Sequence, residues 1–146
     1  MFLNCHSYYS LRYGTLSPEY LVQRAAELGI KTLALTDIND TSAIFDFVKA
    51  CRTHRIQPIA GIEFRNNNKL LYTTLAFNTK GFEEMNRFMT RCTFDGQPFP
   101  LQPPSFDNCA TVYPFLQASY SRLRNNEYAG IGVVEQTRLV TSEFKH

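Results

Sequence analysis

Along the first 92 residues, short apolar runs that suit strands alternate with apolar positions spaced at the helical period. Phe2 to Cys5 is the first candidate strand, followed by a polar, turn-rich loop from Ser7 to Thr15. A helix is predicted next. Ser17 can cap it, Pro18 suits its first position, Leu21, Val22, Ala25 and Leu28 share one face, and Gly29 supplies the stop. Lys31 to Thr36 (KTLALT) reads as a second strand, and Asp40 or Thr41 is the expected cap of a second helix striped by Ile44, Phe47, Val48 and Cys51. Ile56 to Phe64 (IQPIAGIEF) reads as a third strand. Asn66, Asn67 and Asn68 signal a turn, and Leu70 to Phe77 (LLYTTLAF) returns as an antiparallel fourth strand. Thr79 is expected to cap a third helix carrying Phe82, Met85, Met89 and Cys92 on one side.

The rhythm breaks after Cys92. Pro98, Pro100, Pro103 and Pro104 cannot donate ladder hydrogen bonds, so residues 93–108 read as a surface loop. Ala110 to Tyr113 is a further strand, Phe115 to Arg124 a helix, Tyr128 to Val134 a strand, and Gln136 to Phe144 the start of another helix. Strand and helix alternating in this way predict an α/β fold, a barrel or a doubly wound sheet, with mostly parallel strands and one hairpin. A (β/α) barrel of the usual kind needs about 250 residues. The 146 residues therefore read as the N-terminal portion of a single domain: 1–92 as βα units plus the hairpin, 93–108 as the loop, and 109–146 as further strand, helix and strand. A fragment of a longer chain is the expectation.

With 44% hydrophobic and 19% charged residues, the sequence is neither a disordered tail nor a disulfide-stapled miniprotein. Fifteen Lys and Arg against thirteen Asp and Glu leave a net charge of +2, which gives no electrostatic case for direct nucleic-acid binding. No run approaches the roughly 20 apolar residues of a membrane span, and MFLNCHSYYS lacks the regions of a signal peptide, so a cytoplasmic protein without a membrane partner is expected. Cys5, Cys51, Cys92 and Cys109 stand singly, without a CxxC spacing, and read as free thiols.

Ligand sites in such folds lie at the carboxyl ends of the strands. Asn4 and His6 follow strand one, Asp37 strand two, and Glu63 strand three. The pattern admits a binding site. It also admits a plain structural reading: Asp37 and Asn39 forming a turn, His6 bonding its own loop, and Glu63 opening the hairpin. His54, beside Arg52 and Arg55, is expected to satisfy the end of helix two. Lys80, Arg87 and Arg91 interleave with Glu83 and Glu84 as a solvated, ion-paired helix face.

The runs NCHSYYSLRYG, SPEYLVQRAAELGIKTLALTDIND, IQPIAGIEF and TTLAFNTKGFEEMNRFM occur in that order, and together they resemble the opening of the PHP (polymerase and histidinol phosphatase) domain. The version they resemble stands at the N-terminus of bacterial DNA polymerase III alpha subunits, and YAGIGVVEQTRLVTS continues the likeness more weakly. The resemblance implies an incomplete distorted (β/α) barrel with a metal cluster at the strand ends. Of the ligand positions it implies in this stretch, His6 and Glu63 carry metal-binding side chains, while Asn4, Tyr13 and Ile38 stand where ligands are lost. A catalytic zinc needs about three protein ligands. The site is therefore expected to be degenerate, with His6 and Glu63 as remnants, Asp37 as a further donor for one weak metal, and no cofactor predicted in this piece.

The resemblance further implies a longer chain, whose palm, with magnesium, carries out DNA synthesis and meets DNA. It implies partners in the rest of that chain and in a proofreading exonuclease subunit. Phe94, Phe99 and Phe106 of the 93–108 loop would either dock a partner or simply anchor the loop. Self-association through exposed strand edges is a further possibility. The alternative is a zinc- or manganese-dependent phosphoesterase or 3′–5′ exonuclease, in which Arg12 or Arg65 would grip phosphate oxygens. Solvated loop charge is the other account of those two arginines.

Overall fold

Helix α1 (Pro18–Glu27) begins where the sequence predicts: the Ser17 hydroxyl accepts from the Tyr20 N–H at 3.2 Å, and the chain leaves the helix through Gly29 at a φ of 70°. The computed structural model describes residues 1–115 and 123–131. Strand β1 (Thr32–Leu35) follows, then α2 (Ile44–His54), β2 (Gln57–Asn66), β3 (Lys69–Ala76), α3 (Thr79–Phe94), β4 (Cys109–Pro114) and β5 (Glu127–Gly130). The strands form one sheet in the order β1-β2-β3-β4-β5.

Strand β2 joins two kinds of pairing. Its first half, Gln57 to Ala60, lies parallel to β1, and its second half, Gly61 to Asn66, lies antiparallel to β3. Strand β4 is antiparallel to β3, and β5 parallel to β4, so β3 alone runs against the other four. The result is the mostly parallel sheet with one hairpin that the sequence predicts, and Asn67, at a φ of 53°, makes the hairpin turn.

Two apolar clusters hold the layers together. Val22 and Ala25 of α1 and Phe47 and Cys51 of α2 pack over Leu33 and Leu35 of β1. Met85 of α3 covers Ile62 and Phe64 of β2, Tyr72 of β3 and Tyr113 of β4. Each of the larger buried side chains contributes about 1.5–3 kcal/mol on removal from water. No helix among the described residues is long and apolar enough to cross a membrane.

Several boundaries differ from the sequence reading. Phe2 to Cys5 is not a strand: it lies along the open edge of β1 through one bridge, Phe2 to Leu33, and a few backbone bonds, too few for a ladder. Helix α2 takes Ala43 at its cap, because Asp40 accepts from Ser42 N–H one turn too early. Helix α3 is capped by Asn78 and not Thr79, the Asn78 amide oxygen accepting from Gly81 N–H at 3.1 Å. The same helix extends through Phe94, which is 88% exposed. Phe99 and Phe106 do anchor the proline-rich loop, their rings lying against Phe64 and Phe88. Two hydrogen bonds between the Asn66 amide and the Phe99 backbone fix the loop further, and Arg124 donates to the Pro103 carbonyl at 2.7 Å. The expected helix over Phe115 to Arg124 and the one over Gln136 to Phe144 fall largely or wholly outside the described residues.

Candidate functional site

The carboxyl ends of β1 and β2 are joined beyond their ladder by a bridge between Ile38 and Glu63, with Glu63 N–H donating to the Asp37 carbonyl at 3.1 Å. This brings Asp37 and Glu63 side by side, each about 1% exposed. The N-terminal segment crosses the same strand ends and delivers Asn4 and His6. Asn4, His6, Asp37 and Glu63, scattered over some sixty positions, therefore do converge.

Glu63 is the hub. Its Oε2 accepts from Asn4 Nδ2 at 2.9 Å, and its Oε1 from Arg65 Nε at 2.6 Å. His6 Nε2 comes within 3.2 Å of Oε2, but not in hydrogen-bond geometry, which leaves that buried nitrogen without a hydrogen-bond partner. Burial alone would raise the carboxyl pKa, but the contacts from His6, Asn4 and Arg65 outweigh it and hold the group at about 2. Glu63 is thus ionised at neutral pH. Asn4 is oriented in turn by Thr36, whose hydroxyl donates to Asn4 Oδ1 at 2.9 Å.

Arg65 is two residues along the same strand, and Tyr13 of the first loop lies against it. Its guanidinium carbon lies 4.3 Å from the centre of the Tyr13 ring, within cation–π range. Its Nη1 reaches the Asn68 carbonyl at 3.4 Å, and its backbone exchanges two 2.9 Å bonds with the side chain of Asn39, itself in the left-handed region. The Tyr13 ring also stands edge-on to His6 at 6.3 Å. Arg65 therefore faces inward to Glu63. Arg12 lies on the exposed loop at a φ of 72°.

Asp37 is a separate, saturated centre. Its Oδ1 accepts from Ser7 N–H at 2.7 Å and from Ser10 Oγ at 2.6 Å, and its Oδ2 from Ser7 Oγ at 2.6 Å. Ser10 Oγ accepts in turn from Ile38 N–H at 2.9 Å. The carboxylate ties the first loop to the end of β1. Sequence reasoning missed Ser7, Ser10 and Thr36, although serines flanking a turn beside a buried aspartate are a usable signal.

Among the described residues, no three His, Cys, Asp or Glu side chains are grouped so that they could hold a metal ion. Chemically, His6 and Glu63 offer two donors, Asp37 commits both its oxygens to three hydrogen bonds, Asn4 commits its amide oxygen to Thr36, and Ile38 has no donor atom. This set does not fit the three-ligand minimum of a catalytic zinc. Elsewhere, α3 carries an Arg87–Glu83 ion pair, as its charge pattern predicts, while Glu84 turns away to accept from both the backbone and the side chain of Asn108.

The sequence signature of the PHP domain matches residues 3–143. The error-prone DNA polymerase of Pseudomonas aeruginosa is 35% identical over 89 residues, covering 61% of this chain and 9% of that protein. The DNA polymerase III subunit alpha of Chlamydia muridarum is 43% identical over 61 residues, covering 42% of this chain and 5% of that protein. The chain thus spans less than a tenth of the length of these curated relatives. Among solved structures, an amidohydrolase from Chromobacterium violaceum aligns with a TM-score of 0.47 at 22% identity, over 62% of this chain and 34% of that one.

Proposed function

The chain belongs to the PHP domain family, and from that membership we propose that it serves as the PHP portion of a polymerase III alpha-type chain, as a structural module with a degenerate metal site. DNA synthesis would belong to other parts of such a chain. The observation that carries the reading is the state of the strand-end site: the buried carboxylate of Glu63 is satisfied by side chains of the same chain, and the remaining donors among the described residues are too few for a hydrolytic metal. Without a metal-bound hydroxide, the described residues of the site offer no activated nucleophile for a phosphodiester. Likeness to DNA polymerases over 61% and 42% of the chain supports the parentage.

The role left to such a module is mechanical. It would brace the polymerase core and offer a surface to a proofreading subunit, in a cytoplasmic replication complex. Elemental analysis of protein purified without chelator, together with a manganese-supplemented phosphoester assay, tests the proposal. Substoichiometric metal and no turnover are expected. One zinc or manganese per chain, with ester hydrolysis abolished by His6→Ala, would replace the proposal with the phosphoesterase reading.

A further inference from the structure

We infer that Arg65 is the resident cation of the strand-end site, built into the chain where a bound metal would otherwise have to neutralise Glu63. This rests on the reading of the site as degenerate and explains how the fold tolerates that state. An ionised carboxylate that is 1% exposed is costly unless a cation accompanies it. Two groups next to Glu63 can carry positive charge, His6 and Arg65, and of these the guanidinium alone donates to the carboxylate in hydrogen-bond geometry.

The guanidinium is held by three contacts, with Glu63 Oε1, the Tyr13 ring and the Asn68 carbonyl, while Asn39 locks the Arg65 backbone. Its side chain is 13% exposed. This is the arrangement of a fixed structural ion and not of a mobile phosphate clamp. A divalent cation seeking Glu63 has to displace a hydrogen-bonded guanidinium and has no third protein ligand to gain in exchange. Tyr13 takes part as the ring that seals the ion in place, and Asn4 as the neutral donor to the second oxygen.

Urea unfolding of the full chain as wild type, Arg65→Gln, Glu63→Gln and the double variant tests this, together with calorimetric titration of each protein with zinc chloride and manganese chloride. Arg65→Gln is expected to lower the folding equilibrium constant on the order of a hundredfold, because it strands a buried charge. Adding Glu63→Gln should recover at least about tenfold of that loss, since the stranded charge goes with it. If Arg65→Gln alone yields no folded protein, the double variant should still fold. Wild type should bind neither metal saturably. Additive effects, or a double variant no better folded than Arg65→Gln, overturn the role of Arg65 and leave the metal-free scaffold standing. One metal bound per wild-type chain, lost in Glu63→Gln, overturns both.

Discussion

Lowering the pH should unlock the strand ends through Glu63. In the folded protein this carboxyl is held at about 2, against 4.5 for an ordinary glutamate, because the contacts from His6, Asn4 and Arg65 outweigh the opposing effect of its burial. A group whose folded pKa lies below its unfolded value binds fewer protons when folded. It therefore stabilises the fold fully above its unfolded pKa and ceases to do so as the pH falls through the folded one. The interval between the two values corresponds to about 3 kcal/mol at 25 °C. That amount should drain away between about pH 4.5 and about pH 2. Other carboxylates titrate in the same range, so the quantity to follow is the difference between wild type and Glu63→Gln, whose amide does not titrate. Urea unfolding followed by far-ultraviolet circular dichroism, at intervals from neutral pH down to about 2, gives that difference directly. The stability of wild type relative to the variant should shrink by about 3 kcal/mol across the acid range. Two profiles that run parallel would show that the carboxylate draws no net stabilisation from its partners, and the electrostatic account of the site would fail.

Other consequences are more local. Asp37→Ala removes the acceptor for three buried donors, Ser7 N–H and the hydroxyls of Ser7 and Ser10, and should cost about 3 kcal/mol or more in chemical unfolding. Gly61→Ala would set a methyl group 2.7 Å from both the Thr36 methyl and the Thr74 carbonyl oxygen, so a loss of roughly 1–3 kcal/mol is expected from overpacking. Asn66→Ala severs both bonds to the Phe99 backbone and should make the 93–108 loop cleavable by limited proteolysis while circular dichroism stays unchanged. Burial pushes the Cys51 thiol up to about 11 and the Cys109 thiol up to about 12, Glu84 adding to the latter, so both should resist a thiol reagent near neutral pH until denaturant is added.

Hydrophobic periodicity located α1, α2, β1 to β4 and the hairpin, because each of these elements carries its own apolar stripe or run. It failed at Phe2 to Cys5, where the apolar run belongs to a segment that spends its residues delivering Asn4 and His6 instead of pairing in a ladder. Caps were misplaced by one to three residues, because Asp40, Thr41 and Asn78 are all competent acceptors and the geometry of the incoming loop decides among them. The residues that converge at the strand ends were legible, since a parallel α/β fold puts residues that end successive strands on one rim. Their bonding was not. Whether Arg65 points outward to a ligand or inward to Glu63 is decided by its partners Tyr13 and Asn39, which come from distant parts of the chain and which nothing in the residue pattern announces.

The local fold and the chemistry of the rim are connected here. Glu63 and Arg65 stand two residues apart on one face of β2, which makes their side chains neighbours. With Asn39 gripping the Arg65 backbone on both sides, the arginine comes within 2.6 Å of the carboxylate through its Nε. A rim that lost metal donors but kept Glu63 would hold an uncompensated buried anion, a change that costs several kcal/mol. On the proposed reading, the loss of donors and the presence of an internal cation belong together. Asn4, Tyr13 and Arg65 fit together as one solution, in which an amide, an aromatic face and a guanidinium share the work of stabilising a single carboxylate. Restoring one metal donor alone, as in Asn4→His, should consequently cost stability without creating a metal site, because the guanidinium still occupies Oε1 and the second oxygen loses its amide donor. Thermal unfolding with and without added zinc decides the point. A transition that zinc raises in Asn4→His but not in wild type would show that Arg65 yields to a metal, and that donor count alone limits metal binding.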